Sequence, residues 1–236
     1  MFLKYPNLPD KKVTIAAVSA GETDVIKALS DAGITVIRIE NNSYLERKIS
    51  SHPDMNLLML GDGKYIAYEK LLPCRFEFIK EEIPISDKYK FSSKLNVAII
   101  GKFCICNKST ATEYIDRLFQ ERIYVKQGYS KCSVLVIDKD SIITGDIGIY
   151  DAAIQNGLNA LKCKNDEIFL KGYNNGFIGG VGGKLNYDIL AVSGDIKKIS
   201  DYENIKSFCR NSGVYIEPLT KNILSDIGGI IPIETE

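Results

Sequence analysis

A polar tip followed at once by an apolar run of strand length recurs along this chain, and no other feature limits the possible folds as much. Residues 52–68, HPDMNLLMLGDGKYIAY, hold its clearest copy. His52, the single histidine, and Asp54 stand just ahead of Leu57, Leu58, Met59 and Leu60. Gly61-Asp62-Gly63 then offers left-handed positions for a tight reversal into Tyr65-Ile66-Ala67. The pattern predicts a buried hairpin with polar groups at its entry. It returns as Lys131-Cys132-Ser133 before residues 134–137, as Lys184-Leu185-Asn186 before 189–192, and as Ser225-Asp226 before 228–233. Units this short cannot bury their own apolar faces, so repetition implies that neighbours cover one another.

Between the hairpins the apolar period changes to that of a helix. Residues 13–18 read as a strand, 22–32 as a helix with Val25, Ile26 and Leu29 on one face and Gly33 as its stop, and 34–39 as a second strand. Thr110 with Glu113, and Ser200 with Glu203, read as capping boxes. The first would open a helix bearing Ile115, Leu118 and Phe119, followed by a strand at 122–126. The second would open a helix lined by Ile205, Phe208 and Cys209, ended by Gly213 and followed by a strand at 214–216. A helix at 151–161, with Ile154, Leu158 and Leu161 on one face, would lead to a strand at 167–170. A short helix at 69–72, before Pro73, would lead to one at 75–79, and residues 96–100 would pair with 103–106.

Hairpin, helix and strand then form about five units. The first lacks a partner strand and the last strand, near 229–233, lacks a unit. If one completes the other, the units close into a ring without exposed edges, an α/β propeller spanning residues 1–236 as one domain, with 1–12 as an N-terminal extension.

Lysine plus arginine and aspartate plus glutamate balance at 30 each, and no long like-charge block is present, so nucleic acid is not an expected partner. No apolar run approaches membrane length, and prolines and charges interrupt the N-terminal stretch, so neither a membrane nor a signal peptide is expected and the cytoplasm is the expected location. Six cysteines scattered in a chain of this size read as reduced thiols. Cys104-Ile105-Cys106 reads as a poor zinc pattern, on the expectation that the two sulfurs leave the strand on opposite faces; no metal or cofactor is expected. The run Gly176-Phe177-Ile178-Gly179-Gly180-Val181-Gly182-Gly183-Lys184 fits neither the phosphate-loop nor the dinucleotide spacing, and reads as a loop where backbone approaches backbone. Asp62, Asp146 and Asp195, each after a glycine, read as turn and helix-start residues.

Five such units in a ring resemble the pentein fold of the guanidino-group-modifying enzymes: arginine and agmatine deiminases, dimethylarginine hydrolases and amidinotransferases. His52-Pro53-Asp54-Met55 is similar to the histidine, any residue, carboxylate motif of that superfamily. The resemblance implies His52 as general acid and base, and Asp54 as the partner of a guanidinium. At the C-terminus, Gly228-Gly229 before the final apolar strand matches the superfamily's glycine pair, whereas the nucleophilic cysteine expected there is missing. The chain is therefore identified as a divergent pentein, of the kind that binds a small guanidino, amino-acid or other zwitterionic ligand at the ring centre. The alternative is an amidinohydrolase or deiminase-like C–N hydrolase using His52 and Asp54 with Cys132, beside Lys131, as an atypical nucleophile. Lys131, Lys184 and Asp226, ahead of the repeated strands, are the expected ligand-binding residues. The same fold also includes a ribosome anti-association factor; nothing in this sequence names a protein partner.

Overall fold

The hairpins form where apolar runs meet glycine-bearing turns. Gly61, Asp62 and Gly63 all take positive φ, of 92, 49 and 76°. The protein, seen in a computed structural model, is described for residues 1–83 and 85–236. In chain order its elements are β1 (Val13–Ser19), α1 (Thr23–Asp31), β2 (Thr35–Ile39), α2 (Pro53–Asn56), β3 (Leu57–Gly61), β4 (Lys64–Ala67), β5 (Glu77–Lys80), α3 (Tyr89–Ser92), β6 (Ala98–Ile100), β7 (Phe103–Cys106), α4 (Tyr114–Leu118), β8 (Glu121–Tyr124), α5 (Ser130–Ser133), β9 (Val134–Val136), β10 (Ser141–Thr144), α6 (Ile147–Gln155), β11 (Asn159–Lys162), β12 (Gly182–Lys184), β13 (Ile189–Val192), α7 (Tyr202–Asn211), β14 (Tyr215–Pro218) and β15 (Ile231–Thr235).

These strands make five three-stranded sheets, β15-β1-β2, β3-β4-β5, β6-β7-β8, β9-β10-β11 and β12-β13-β14. In each, the middle strand pairs antiparallel with the first and parallel with the third. The first sheet joins the two ends of the chain, as expected: Val13 faces Thr235 and Ala17 faces Ile231.

Burial shows why the sheets are arranged in a ring. One apolar cluster joins the first and second sheets (Ala17, Ile39, Leu57, Tyr65, Ile233) and another the second and third (Leu58, Ile66, Ile99, Cys104). A third joins the third and fourth (Ile105, Val134, Ile142), and a fourth the fourth and fifth (Leu135, Ile143, Leu190, Val192). The last returns from the fifth to the first (Ala191, Ala16, Val18, Val25, Leu29). Each sheet is thus covered by its two neighbours, giving a five-unit α/β propeller.

Three of the helices stop in one way. Gly33, Gly157 and Gly213 take φ of 81, 81 and 70°, and the next amide bonds back to the last turn: Ile34 N to Leu29 O, Leu158 N to Ala153 O, Val214 N to Cys209 O. Chain reversal is therefore built into the sequence just before β2, β11 and β14.

Several expected boundaries move. The helix expected at 151–161 is α6, which covers Ile147–Gln155, because Asp146 caps it, accepting from Ile149 N at 2.9 Å, and Gly157 ends it. The following strand is Asn159–Lys162; near 167–170 there is only an isolated bridge from Phe169 to Ser225. Neither capping box forms. Thr110 is buried with its hydroxyl unpartnered among the described residues, and α4 begins after Glu113. Ser200 donates to Glu167 Oε2 at 2.6 Å, and Asp201 precedes α7. Residues 69–72 form no helix, since Leu72 N is held by Tyr65 Oη at 3.2 Å. Cys104 and Cys106 leave β7 on the same face, as residues two apart in a strand must, and pack in one cluster; all six cysteines are free. Among the described residues no group of three metal-ligating side chains converges, and no helix is long and apolar enough to cross a membrane.

Candidate functional site

All five first strands are entered from the ring centre, and their entry segments interlock there. They are α2 before β3, residues 93–97 before β6, α5 before β9, the 3-10 turn Ile178–Gly180 before β12, and residues 226–230 before β15. Asp54 N bonds Gly228 O, and Ile227 N and Gly229 N both bond Gly180 O at 2.9 Å. Asn96 accepts from Cys132 N at 3.0 Å and donates to Asp54 O at 3.1 Å. The backbones come close enough to require glycine. A Cβ on Gly179 would lie 2.3 Å from Lys131 O, one on Gly180 1.8 Å from Asp226 Oδ1, and one on Gly183 1.9 Å from Ile230 O. The glycine run is thus the packing surface of the ring centre, with φ mattering less than the absence of a side chain.

The polar side chains of these segments are almost all buried. Asp54 is wholly enclosed: its Oδ2 accepts from Cys132 Sγ at 3.0 Å, while Oδ1 has no partner among the described residues. Burial, with Asp226 adding to it against the opposing charges of His52 and Lys131, pushes the Asp54 carboxyl up to about 6. The Cys132 thiol is held well above its ordinary range, first by burial and then by the Asp54 and Asp226 carboxylates. It also accepts from Asn96 Nδ2 at 3.0 Å. Cys132 is accordingly a protonated donor to Asp54 and not a free thiolate.

His52 Nδ1 lies 3.9 Å from Asp226 Oδ1. Asp226 is fixed by two amides, Phe177 N to Oδ2 at 2.9 Å and Gly228 N to Oδ1 at 3.0 Å. Gly228, at φ 75°, could carry no side chain, since a Cβ would fall 2.4 Å from that of His52. Burial raises the carboxyl of Glu22, the residue before α1, against the opposing charge of His52.

A cavity of about 400 Å³ opens beside these groups, lined by His52, Cys132 and Asp226 and by Tyr129, Tyr173 and Phe177, with Asp54 lying behind this lining against Cys132. Two loops meet at its mouth. Tyr173 Oη donates to Glu46, and Lys48 Nζ donates to Gly172 O at 2.7 Å.

Of the residues singled out in the sequence, His52, Asp54, Cys132, Lys131 and Asp226 come together. Lys131 sits beneath, donating to Gly179 O at 3.3 Å and facing a small void beside Leu57 and Ile231. Lys184 does not join them. It ends β12, the true first strand of its unit, where the 3-10 turn holds the entry position, and its Nζ bonds Ile137 O at 3.0 Å and Tyr187 O. Asn96 was missed, although its place ahead of the third unit's first strand is equivalent to that of Asp54. Glu22, Glu46 and Tyr173 carry no sequence signal; loops remote in sequence bring them in.

Solved structures share this architecture at low sequence identity. SxtG, an amidinotransferase from Microseira wollei in the saxitoxin biosynthetic pathway, is 8% identical, with a TM-score of 0.63 over 100% of this chain and 97% of its own. The inosamine-phosphate amidinotransferase StrB1 from Streptomyces griseus is 10% identical, with a TM-score of 0.58 over 100% and 96%. A mutant of DDAH from Pseudomonas aeruginosa, complexed with citrulline, is 10% identical, with a TM-score of 0.55 over 93% and 96%. No curated protein matches the sequence. Residues 17–231 match the family of unknown function DUF6873. With the match running from β1 into β15 and the five sheets arranged as in those enzymes, the chain belongs to the DUF6873 family and has the pentein fold.

Proposed function

We propose that this protein binds a small guanidinium-bearing or zwitterionic ligand in the central cavity and releases it unchanged. The observation that supports this is the lone oxygen of Asp54, a buried carboxylate just behind Cys132 of the cavity lining, whose Oδ1 has no donor among the described residues. A buried acceptor of this kind is costly until a donor arrives, and a guanidinium or ammonium supplies both hydrogen bond and charge. Asp226, in the cavity lining, adds a second negative charge, and Asn174 and Asn175 in the cavity wall offer amides to a ligand carboxylate. Turnover of a guanidinium needs a thiolate, and the terminal glycine pair provides none. Cys132 keeps its proton.

A second reading, C–N hydrolysis, rests on the contact between Cys132 and Asp54. Asp54 would take the thiol proton, the sulfur would attack the guanidinium carbon, and ammonia or an amine would leave before water released the product. One experiment separates the readings. Arginine, agmatine, ornithine and citrulline are titrated calorimetrically into the wild-type protein and Asp54→Asn, and the recovered ligands are identified by mass spectrometry. A guanidinium ligand should bind, lose at least tenfold in affinity in Asp54→Asn, and be recovered intact. Absence of binding by all four would overturn the proposal. Ammonia release abolished by Cys132→Ser would establish the hydrolase instead.

A further inference from the structure

A second cavity, of about 430 Å³, lies beside the first. The apolar cluster of Leu45, Met55, Ile85 and Cys132 divides them, giving Ile85 to one wall and Met55 and Cys132 to the other. The second cavity is lined by the loop after β2 (Asn41, Ser43, Tyr44), by Tyr68 and Glu69 after β4, and by residues 80–83 and Ile85.

Glu81 sets its chemistry. The residue is 5% exposed, its backbone amide is committed to Ala67 O at 2.9 Å, and Oε1 accepts from Ile83 N at 3.1 Å. Oε2 has no donor among the described residues. A carboxylate oxygen left so is stabilised by any donor that the cavity admits. Glu69 and Glu82 line the same space against one cation, Lys80, so the lining is net negative. These carboxylates do not converge as metal ligands do, which turns the argument toward an organic cation. Tyr44 and Tyr68 also line it, and aromatic rings suit an ammonium and its methylenes.

We propose that this cavity is a second binding site, taking a primary ammonium on a short alkyl chain, with Glu81 Oε2 as its anchor. It stands apart from the central site and does not depend on what binds there.

The test uses 1,4-diaminobutane, with 1,4-butanediol as its uncharged counterpart. Calorimetry on the full chain should show binding of the diamine and none of the diol. Glu81→Gln keeps the acceptor for Ile83 N and should weaken the diamine at this site at least tenfold, as followed through the amides of residues 41–44 and 80–83, so that diamine held at Asp54 in the central site is read separately. Amide shifts in the unaltered protein provide a readout that does not depend on a variant folding. Diamine should move residues 41–44 and 80–83. Unperturbed signals there, equal binding by the diol, or full affinity in a folded Glu81→Gln protein would each overturn the proposal.

Discussion

Asp54 binds its proton more tightly in the folded chain than in the unfolded one, because its carboxyl is raised from the usual 3.8 to about 6. Its contribution to stability is therefore complete below about pH 4 and is lost as the pH rises through about 6. Asp54→Asn cannot ionise. Relative to the wild type it should gain up to about 3 kcal/mol between pH 4 and pH 8. Denaturant melts at both values check this; a difference between the proteins that is independent of pH would show that the carboxyl is not buried in this way. A cationic ligand meets the charged form. Its affinity should accordingly increase as the pH passes about 6, with a proton released on binding, and calorimetry in two buffers of different ionisation enthalpy would detect that proton.

The helices are held by their ends, and two substitutions separate the caps that exist from those that do not. Asp146 accepts from Ile149 N, so Asp146→Ala should cost about 1 kcal/mol. The Thr110 hydroxyl caps no helix and is buried without a partner among the described residues, so Thr110→Val should be neutral or stabilise by up to about 1 kcal/mol. Urea melts of the two variants decide; a comparable loss in both would mean that Thr110 is a cap after all. The sequence pattern reaches this level unevenly. Strands of the second unit were legible because Leu57 to Leu60 and the glycine turn are local signals. The apolar period overruns the end of α6, because it joins Ile154, which is 47% exposed, with Leu158 and Leu161 into one face across Gly157. In the fifth unit, Gly182 and Gly183 bear no side chain, so β12 has no apolar pattern and Lys184 was placed ahead of the wrong strand. His52, Asp54, Cys132 and Asp226 were legible through the strands that follow them. The loops bearing Glu46 and Tyr173 have no such marker, since contact between distant segments leaves no period.

At the scale of the molecule, each sheet depends on two neighbours, and the first depends also on both ends of the chain. Removing residues 229–236 deletes β15 and with it the buried Ile230, Ile231 and Ile233. At about 2 kcal/mol or more for each buried isoleucine, the loss approaches the whole stability of a typical domain, before the unpaired edge of β1 is counted. The truncated chain should show no cooperative thermal transition; a melt like that of the full chain would remove β15 from the account of ring closure.

The pairing of Val13 with Thr235 also sets an order in time. During synthesis β1 emerges early and its antiparallel partner late, so one edge of β1 and the apolar faces of the first unit stay open while the other units are made. Closing so long a loop is slow, and an open strand edge invites pairing with other chains. The vulnerable stage in the life of this protein is therefore its birth, when four units are ready to fold and the strand that completes the ring has yet to leave the ribosome.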